Sequence, residues 1–358
     1  METTHRIIFG NSKDMSALPS QSVDLIVTSP PYPMIAMWDE TFSSQNPATR
    51  EALQKENGPL AFELMHEELD AVWKEVYRVL KIGGLACINI GDAVRTMGRD
   101  FRLFPNHSRV LSRLMDIGLS ILPPIIWRKQ TNAPNKFMGS GMLPAGAYVT
   151  LEHEYILILR KGSIREFKSE KEKQRRRQSA IFWEERNIWF SDVWMDLKGT
   201  TQDLNDKKIR KRSGAYPFEL AYRLINMFSV KGDTVLDPFL GTGTTMSAAM
   251  ASCRNSLGYE LDKNFKDTID LRTKNIRDFS NQYIRNRIKN HLDFVTKTNE
   301  ARNSLKYINK VYQFPVRTKQ EIELYLHDLE SVSETGENEF RVTYLEPPQN
   351  EYCEACQL

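Results

Sequence analysis

Val235-Leu236-Asp237-Pro238-Phe239-Leu240-Gly241-Thr242-Gly243-Thr244-Thr245 carries a short apolar run into a glycine-rich turn, and a small-residue stretch, Met246 to Ser252, follows. Asp233 to Asp237 has the composition of a buried strand, and the small-residue stretch that of a helix packed closely against it. A strand, turn and helix in this order leave free N–H groups at the helix start, where Gly241 and Gly243 let a ligand approach the backbone. Ser256 to Glu260 reads as the next strand and ends on a carboxylate placed to accept hydrogen bonds from a ribose diol. These features together describe a nucleoside site. A phosphate loop would need a lysine before its last Ser or Thr, and Gly243-Thr244-Thr245 has none.

The same alternation extends upstream. Val23 to Thr28 is an apolar run ended by Ser29-Pro30-Pro31, a strand entering a loop, because proline cannot continue a ladder. Leu64 to Leu80 has apolar residues at helical spacing and stops at Gly83-Gly84 before the strand-like Leu85 to Ile90. Phe104 to Ile117 predicts a helix, Ile121 to Arg128 and Glu154 to Arg160 two strands, and Thr131 to Ala147 a long surface loop. Pro217 to Phe228 predicts a helix with Pro217 in its first turn. Past Asp262 the character changes: Asn264 to Lys297 suggests exposed polar helices, Gln320 to Leu329 a helix, Ser331 to Asn338 a polar loop and Phe340 to Leu345 a strand.

With 358 residues, 41% of them apolar, the chain can bury one large core and an accessory module. It shows no membrane-length apolar stretch and no signal-peptide pattern, so a cytoplasmic protein without membrane association is expected. Cys87, Cys253, Cys353 and Cys356 are too few and scattered for a disulfide framework, and the terminal CxxC lacks the second pair of a zinc site. No metal is expected. The net charge is only +3, but residues 161–213 hold 15 Lys or Arg against 9 Asp or Glu, which concentrates basic charge in one insert.

The second constellation is Thr28-Ser29-Pro30-Pro31-Tyr32. Two prolines fix the backbone, carbonyl and hydroxyl groups are held in one orientation, and Tyr32 offers a stacking face. Such a loop can clamp a flat base. On these residues the chain resembles the β-class amino-group DNA methyltransferases of restriction-modification type, which act on N4 of cytosine or N6 of adenine. Thr28 to Tyr32 is similar to the catalytic motif of the TSPPY subgroup, Asp237 to Thr245 to the cofactor motif, Tyr259 to Asp262 to the ribose-binding strand end, and Ala215 to Leu220 to the helix start before the cofactor strand. Thr150 to Lys161 resembles the strand that closes the target-base pocket, and Val79 to Gly84 the turn before a central strand. The family often has Gly-Asp-Ser where this chain has Gly10-Asn11-Ser12. The resemblance covers Arg6 to about Asp262.

What the resemblance implies is an α/β fold: a permuted Rossmann-like methyltransferase sheet with helices on both faces, an inserted target-recognition region and a mostly helical C-terminal extension. It divides the chain into a catalytic half (1–160), a basic insert (161–213), a cofactor-binding half (214–262) and an extension of unknown role (263–358). S-adenosyl-L-methionine is the implied cofactor, held by Asn11, Asp237, Pro238, Phe239, Gly241, Gly243, Thr244, Thr245 and Glu260. Ser29, Pro30, Pro31 and Tyr32 are the implied catalytic residues, with the Pro30 carbonyl and Ser29 hydroxyl accepting the amino hydrogens of a base flipped from double-stranded DNA. Arg175, Arg176, Arg177, Lys207, Lys208, Arg210 and Lys211 are expected to neutralise phosphates, positioned by a small core of Trp183, Trp189 and Trp194. A restriction endonuclease acting on the same site is the expected biological counterpart. Ser at 29 after Thr28 resembles the cytosine-N4 subgroup, with adenine N6 as the alternative. A C5 activity would need a nucleophilic cysteine, and Cys87 lies within a strand. A non-catalytic DNA-binding module would leave the two loops without purpose.

Overall fold

The computed structural model describes residues 1–129, 138–199, 216–301 and 305–345. Lys207, Lys208, Arg210, Lys211, Cys353 and Cys356 lie outside them, as does the 130–137 part of the expected long loop. Among the described residues the main sheet has ten strands. These are β1 (Glu2–Phe9), β2 (Val23–Thr28), β3 (Leu80–Ile90), β4 (Leu119–Arg128), β5 (His153–Lys161), β6 (Val193–Trp194), β7 (Thr234–Asp237), β8 (Asn255–Glu260), β9 (Leu329–Gly336) and β10 (Glu339–Tyr344). Their order is β6-β4-β5-β3-β2-β7-β8-β1-β10-β9. The strands β3, β2, β7, β8 and β1 run parallel, and the sheet becomes mixed on both flanks.

The helices that surround the sheet include α1 (Asp39–Gln45), α2 (Pro47–Gln54), α3 (Gly58–Val79), α4 (Asn106–Asp116), α5 (Glu170–Gln178), α6 (Trp183–Trp189), α7 (Phe218–Phe228), α8 (Thr244–Ala251) and α9 (Lys266–Glu300). Strand alternation sends their contacts to two faces. Ile26 of β2 packs with Leu69, Val72 and Val76 of α3 and Leu114 of α4, while Leu25 and Val27 pack with Leu220 and Leu224 of α7 and Ala248 of α8. β2 is buried along its whole length, which is why it reads as a continuous apolar run. This is the expected α/β arrangement, a sheet with helices on both faces.

Beyond residue 262 the structure departs from the sequence reading. In place of the exposed helices expected over Asn264 to Lys297, α9 is one continuous helix with a buried stripe that includes Ile269, Ile276, Ile284 and Ile288. Gln320 to Leu329 forms no helix beyond a short 3-10 turn, Lys319–Glu321. The side-chain amide of Asn309 donates to the carbonyls of Glu321 and Leu324, both at 2.7 Å, and the Leu326 N–H donates to Tyr312 Oη at 2.8 Å, so side chains take up groups a helix would pair. Ser331 to Asn338 is largely strand, because β9 pairs antiparallel with β10 and Ser331 meets Thr343 across the ladder at 2.8 Å. β10 in turn pairs with β1. No helix among the described residues is long and apolar enough to cross a membrane.

Candidate active site

The strand order reverses between β2 and β7, and at such a switch point the loops leaving the carboxyl ends diverge and open a crevice. Four ends meet there: Gly10 and Asn11 after β1, Ser29 to Tyr32 after β2, Asp237 to Gly241 after β7, and Glu260 closing β8. They border a cavity of about 620 Å³ whose walls also include Trp38 and Phe42 and, from α3, Leu69 and Val72. The expected catalytic residues Ser29, Pro30, Pro31 and Tyr32 all line it, as do Asn11, Asp237, Pro238, Phe239, Gly241, Thr244 and Glu260. Both expected loops therefore face one space.

Each end of the cavity has a distinct chemistry. At Gly10 and Gly241 an added Cβ would meet open space, Gly10 having nothing within 4 Å and Gly241 only the Phe239 carbonyl at 3.9 Å. Gly241 has φ +53° and Gly243, the cap of α8, φ +79°, so both occupy the left-handed region that favours glycine. Glu260 accepts from the Gly241 N–H at 2.7 Å and the Asp262 N–H at 2.8 Å. Burial pushes its carboxyl up to about 7. Bare backbone, an acceptor carboxylate and apolar walls suit a nucleoside carried on an amino-acid chain.

Asp237 and Thr245 also join a buried hydrogen-bond cluster that holds the neighbouring elements together. Asp237 is 2% exposed, and its Oδ1 accepts from Thr28 Oγ1 at 2.5 Å and the Phe239 N–H at 3.0 Å. Its Oδ2 accepts from Thr245 Oγ1 at 2.6 Å and Tyr216 Oη at 3.2 Å. Burial raises the carboxyl despite these donors. Asp237 thus ties the end of β2, the turn after β7 and α8 together. Thr244 Oγ1 accepts from Arg272 of α9 at 2.9 Å, which joins the glycine turn to the helix that follows β8.

Around the Ser-Pro-Pro-Tyr loop the structure adds residues the sequence reading did not single out. Tyr32 Oη donates to Glu154 Oε2 of β5 at 2.9 Å and lies 3.0 Å from Ser29 Oγ. Asn89, 2% exposed near the end of β3, donates to Glu154 Oε2 at 2.6 Å and to Tyr32 Oη at 2.8 Å. Lys129, just past β4, reaches Glu154 Oε1 at 3.0 Å. Burial and Glu154 together hold the Tyr32 phenol well above its ordinary titration range. Two signals were available in sequence: Asn89, polar within the otherwise apolar stretch Leu85 to Ile90, and Glu154, a carboxylate ahead of the stretch Tyr155 to Leu159. His153, the first residue of β5, stands edge-on to Tyr155 at 4.9 Å.

The basic insert divides between the two ends of the sheet. Arg165 pairs with Asp233 through bonds of 2.6 and 2.9 Å, Lys231 N donates to Ser179 Oγ at 3.0 Å, and Arg175 lies beside Gly232. These partners precede β7, so α5 sits at the amino ends of the parallel strands, about 20 Å along a six-residue strand from the catalytic loop. Arg177 pairs with Glu170 and Glu323. Arg175, Arg176 and Arg177 are therefore not brought to the cavity. Trp189 and Trp194 are buried in the main core with Tyr222 and Leu224 of α7, and Trp183 packs on Phe294 of α9. They form no separate core for the insert. β6, by contrast, runs parallel to β4 and so points toward the cavity end, and Tyr216 lines the cavity.

Residues 23–271 match the family model described as DNA methylase, of the N6 and N4 methyltransferases. The chain is similar to the type II methyltransferase M.MthZI of Methanothermobacter thermautotrophicus, 55% identical over 347 residues that cover 97% of this chain and 96% of the relative. It is similar also to the type II methyltransferase M.MjaI of Methanocaldococcus jannaschii, 50% identical over 279 residues, 75% of this chain and 90% of the relative. Among solved structures, a putative DNA modification methylase of Thermus thermophilus complexed with S-adenosyl-L-methionine superposes with a TM-score of 0.58 at 32% identity, covering 75% of this chain and 92% of that one.

Proposed function

Because the chain belongs to the DNA methylase family and is an S-adenosylmethionine-dependent methyltransferase of base amino groups in DNA, we propose that its target is N4 of cytosine. The observation that carries this choice is Ser29, a neutral hydroxyl where an adenine enzyme more often has a carboxylate or amide, set beside Tyr32 at the cavity wall. An exocyclic amine has its lone pair delocalised into the ring, so the site must orient the amino hydrogens and aim the nitrogen at the methyl group. In this reading Ser29 Oγ and the Pro30 carbonyl accept those hydrogens, and Tyr32 stacks on a base turned out of the duplex. The cofactor supplies an electrophilic methyl on a sulfonium. Glu260, Asn11 and the bare backbone at Gly10 and Gly241 hold it, while Asp237 and Thr245 keep the two loops in register.

Methylating mixed-sequence DNA with labelled cofactor and digesting it to nucleosides tests the choice. N4-methylcytosine is expected, and N6-methyladenine as the product would transfer the same machinery to the other base. In this reading the enzyme is cytoplasmic and protects one site against a cognate endonuclease, without a stable complex between the two.

A further inference from the structure

The hydroxyl groups of the catalytic loop form a chain with a fixed direction. Glu154 as a carboxylate can only accept, and Tyr32 has a single hydroxyl hydrogen, donated to Glu154 Oε2 at 2.9 Å. In the 3.0 Å contact between Ser29 Oγ and Tyr32 Oη the serine must then be the donor. Its own hydrogen is committed to Tyr32, and its lone pairs are left to the cavity that it lines.

Asn89 reinforces the direction. Its amide hydrogens go to Glu154 Oε2 and Tyr32 Oη, with Ser29 Oγ farther away at 3.5 Å, while its carbonyl oxygen is buried with no partner. A buried acceptor left unpaired is costly, and the acceptor-only carboxylate of Glu154 accounts for the amide facing this way. Lys129 on Oε1 holds the same carboxylate from its far side. β2, β3, β4 and β5 thus each contribute, in or next to the strand, to one polarised network.

We propose that Ser29, Tyr32 and Glu154 form a relay that carries a proton from the target amino group to Glu154 as the nitrogen is methylated. The proposal rests on the reading of Ser29 as the residue that faces the base. As the N–CH3 bond forms and the S–CH3 bond breaks, the amino N–H proton passes to Ser29 Oγ. The serine hydrogen moves to Tyr32 Oη, and the tyrosine hydrogen to Glu154 Oε2. The sulfonium becomes a neutral thioether, the amine stays neutral and the carboxylate becomes a carboxylic acid, so charge and atoms balance. Ser29 takes the proton from the amino group, and Tyr32, besides stacking on the base, passes it on to Glu154.

The test uses the full chain with duplex DNA and cofactor under single-turnover conditions. Glu154→Gln and Tyr32→Phe should each slow methyl transfer by about 100-fold, the scale of a lost proton acceptor, with cofactor affinity and unfolding temperature near those of the parent. The double variant should be no slower than either single one beyond about threefold, because both interrupt one path. Glu154→Ala should recover rate in proportion to added formate. Independently of activity, the hydroxyl proton resonance that Tyr32→Phe abolishes should move upfield in Glu154→Gln. A Glu154→Gln rate within about threefold of the parent, or additive losses in the double variant, overturns the relay. If Ser29→Ala is inactive in that event, the site reading stands alone; if Ser29→Ala methylates normally, the site reading falls together with the relay.

Discussion

Thr28 Oγ1 donates to Asp237 Oδ1 across 2.5 Å, which couples the last residue of β2 to the last residue of β7 where the strand order reverses. Thr28 is 1% exposed and Asp237 2%, so neither can turn to water when the other is lost. Thr28→Val should lower stability by about 1–3 kcal/mol, because the buried Asp237 carboxyl loses one of its donors and keeps only the Phe239 N–H on that oxygen, and weaken cofactor binding without touching the cofactor. Denaturant unfolding and calorimetry on the same variant check both effects; an unchanged midpoint would show that the pair carries no load.

Gly241→Val should separate these effects. The added side chain points into open cavity, so the fold should lose only about 1 kcal/mol, for the left-handed backbone, while cofactor binding is abolished. Calorimetric affinity equal to the parent would remove the turn from the ligand site.

Glu260 makes cofactor binding depend on pH. Its folded-state carboxyl is raised from 4.5 to about 7, so in the free protein it holds a proton below neutrality, whereas a ribose diol needs the carboxylate as acceptor. Affinity should rise as pH increases from about 6 to 8, and Glu260→Gln should flatten the profile. Stability of the ligand-free protein should move the opposite way. A raised carboxyl stabilises the fold most below 4.5 and loses that contribution as pH rises through about 7. Calorimetry and thermal unfolding over this pH range measure the two slopes.

Neutralising Arg175, Arg176 and Arg177 together should leave DNA affinity and its salt slope close to the parent. α5 lies at the amino ends of β2 and β7, and Arg177 already pairs with Glu170 and Glu323. A salt slope flattened by about 2–3 would return these arginines to the DNA interface. Titrations at several salt concentrations decide it.

Arg287 of α9 makes a two-pronged pair with Glu185 of α6, both bonds 2.6 Å, and donates to Tyr222 Oη of α7, also at 2.6 Å. Arg287 is 5% exposed in its side chain. Arg287→Met alone should destabilise by about 3–5 kcal/mol because Glu185 is left without its partner, and adding Glu185→Leu should recover most of that loss. Equal midpoints for the single and double variants would show that lost packing dominates.

The central α/β part was legible because local pattern and tertiary role agree there. Val23 to Thr28 is a strand with the same ends in sequence and structure, and its apolar run follows from burial on both faces. Residues of the two loops line one cavity. The surrounding polar groups are harder to read, because Asn89, Lys129 and Glu154 acquire a role only when β3, β4 and β5 are side by side. The segment after residue 262 misleads for a related reason. α9 buries Thr273, Ser280, Arg287 and His291 among its isoleucines, so its inward face looks polar. Thr273 donates to the Ile269 carbonyl at 2.9 Å and Arg287 is paired with Glu185, which lets these residues enter a core. β9 is a strand through its neighbour, a context that outweighs the weak preference of Ser331 to Gly336.

The pairing of β1 with β8 on one side and β10 on the other reaches into the biosynthesis of the chain. Thr4 meets Asn255, 251 residues later, and Thr3 meets Tyr344, 341 residues later. During translation β1 therefore has neither neighbour until most of the polypeptide has left the ribosome, and both of its edges stay open to foreign strands. Glu2, Thr4 and Arg6 alternate with the buried Thr3, His5 and Ile7, and this charged, polar face protects a segment that must wait. The closure is entirely non-local and should be a late, slow step of folding.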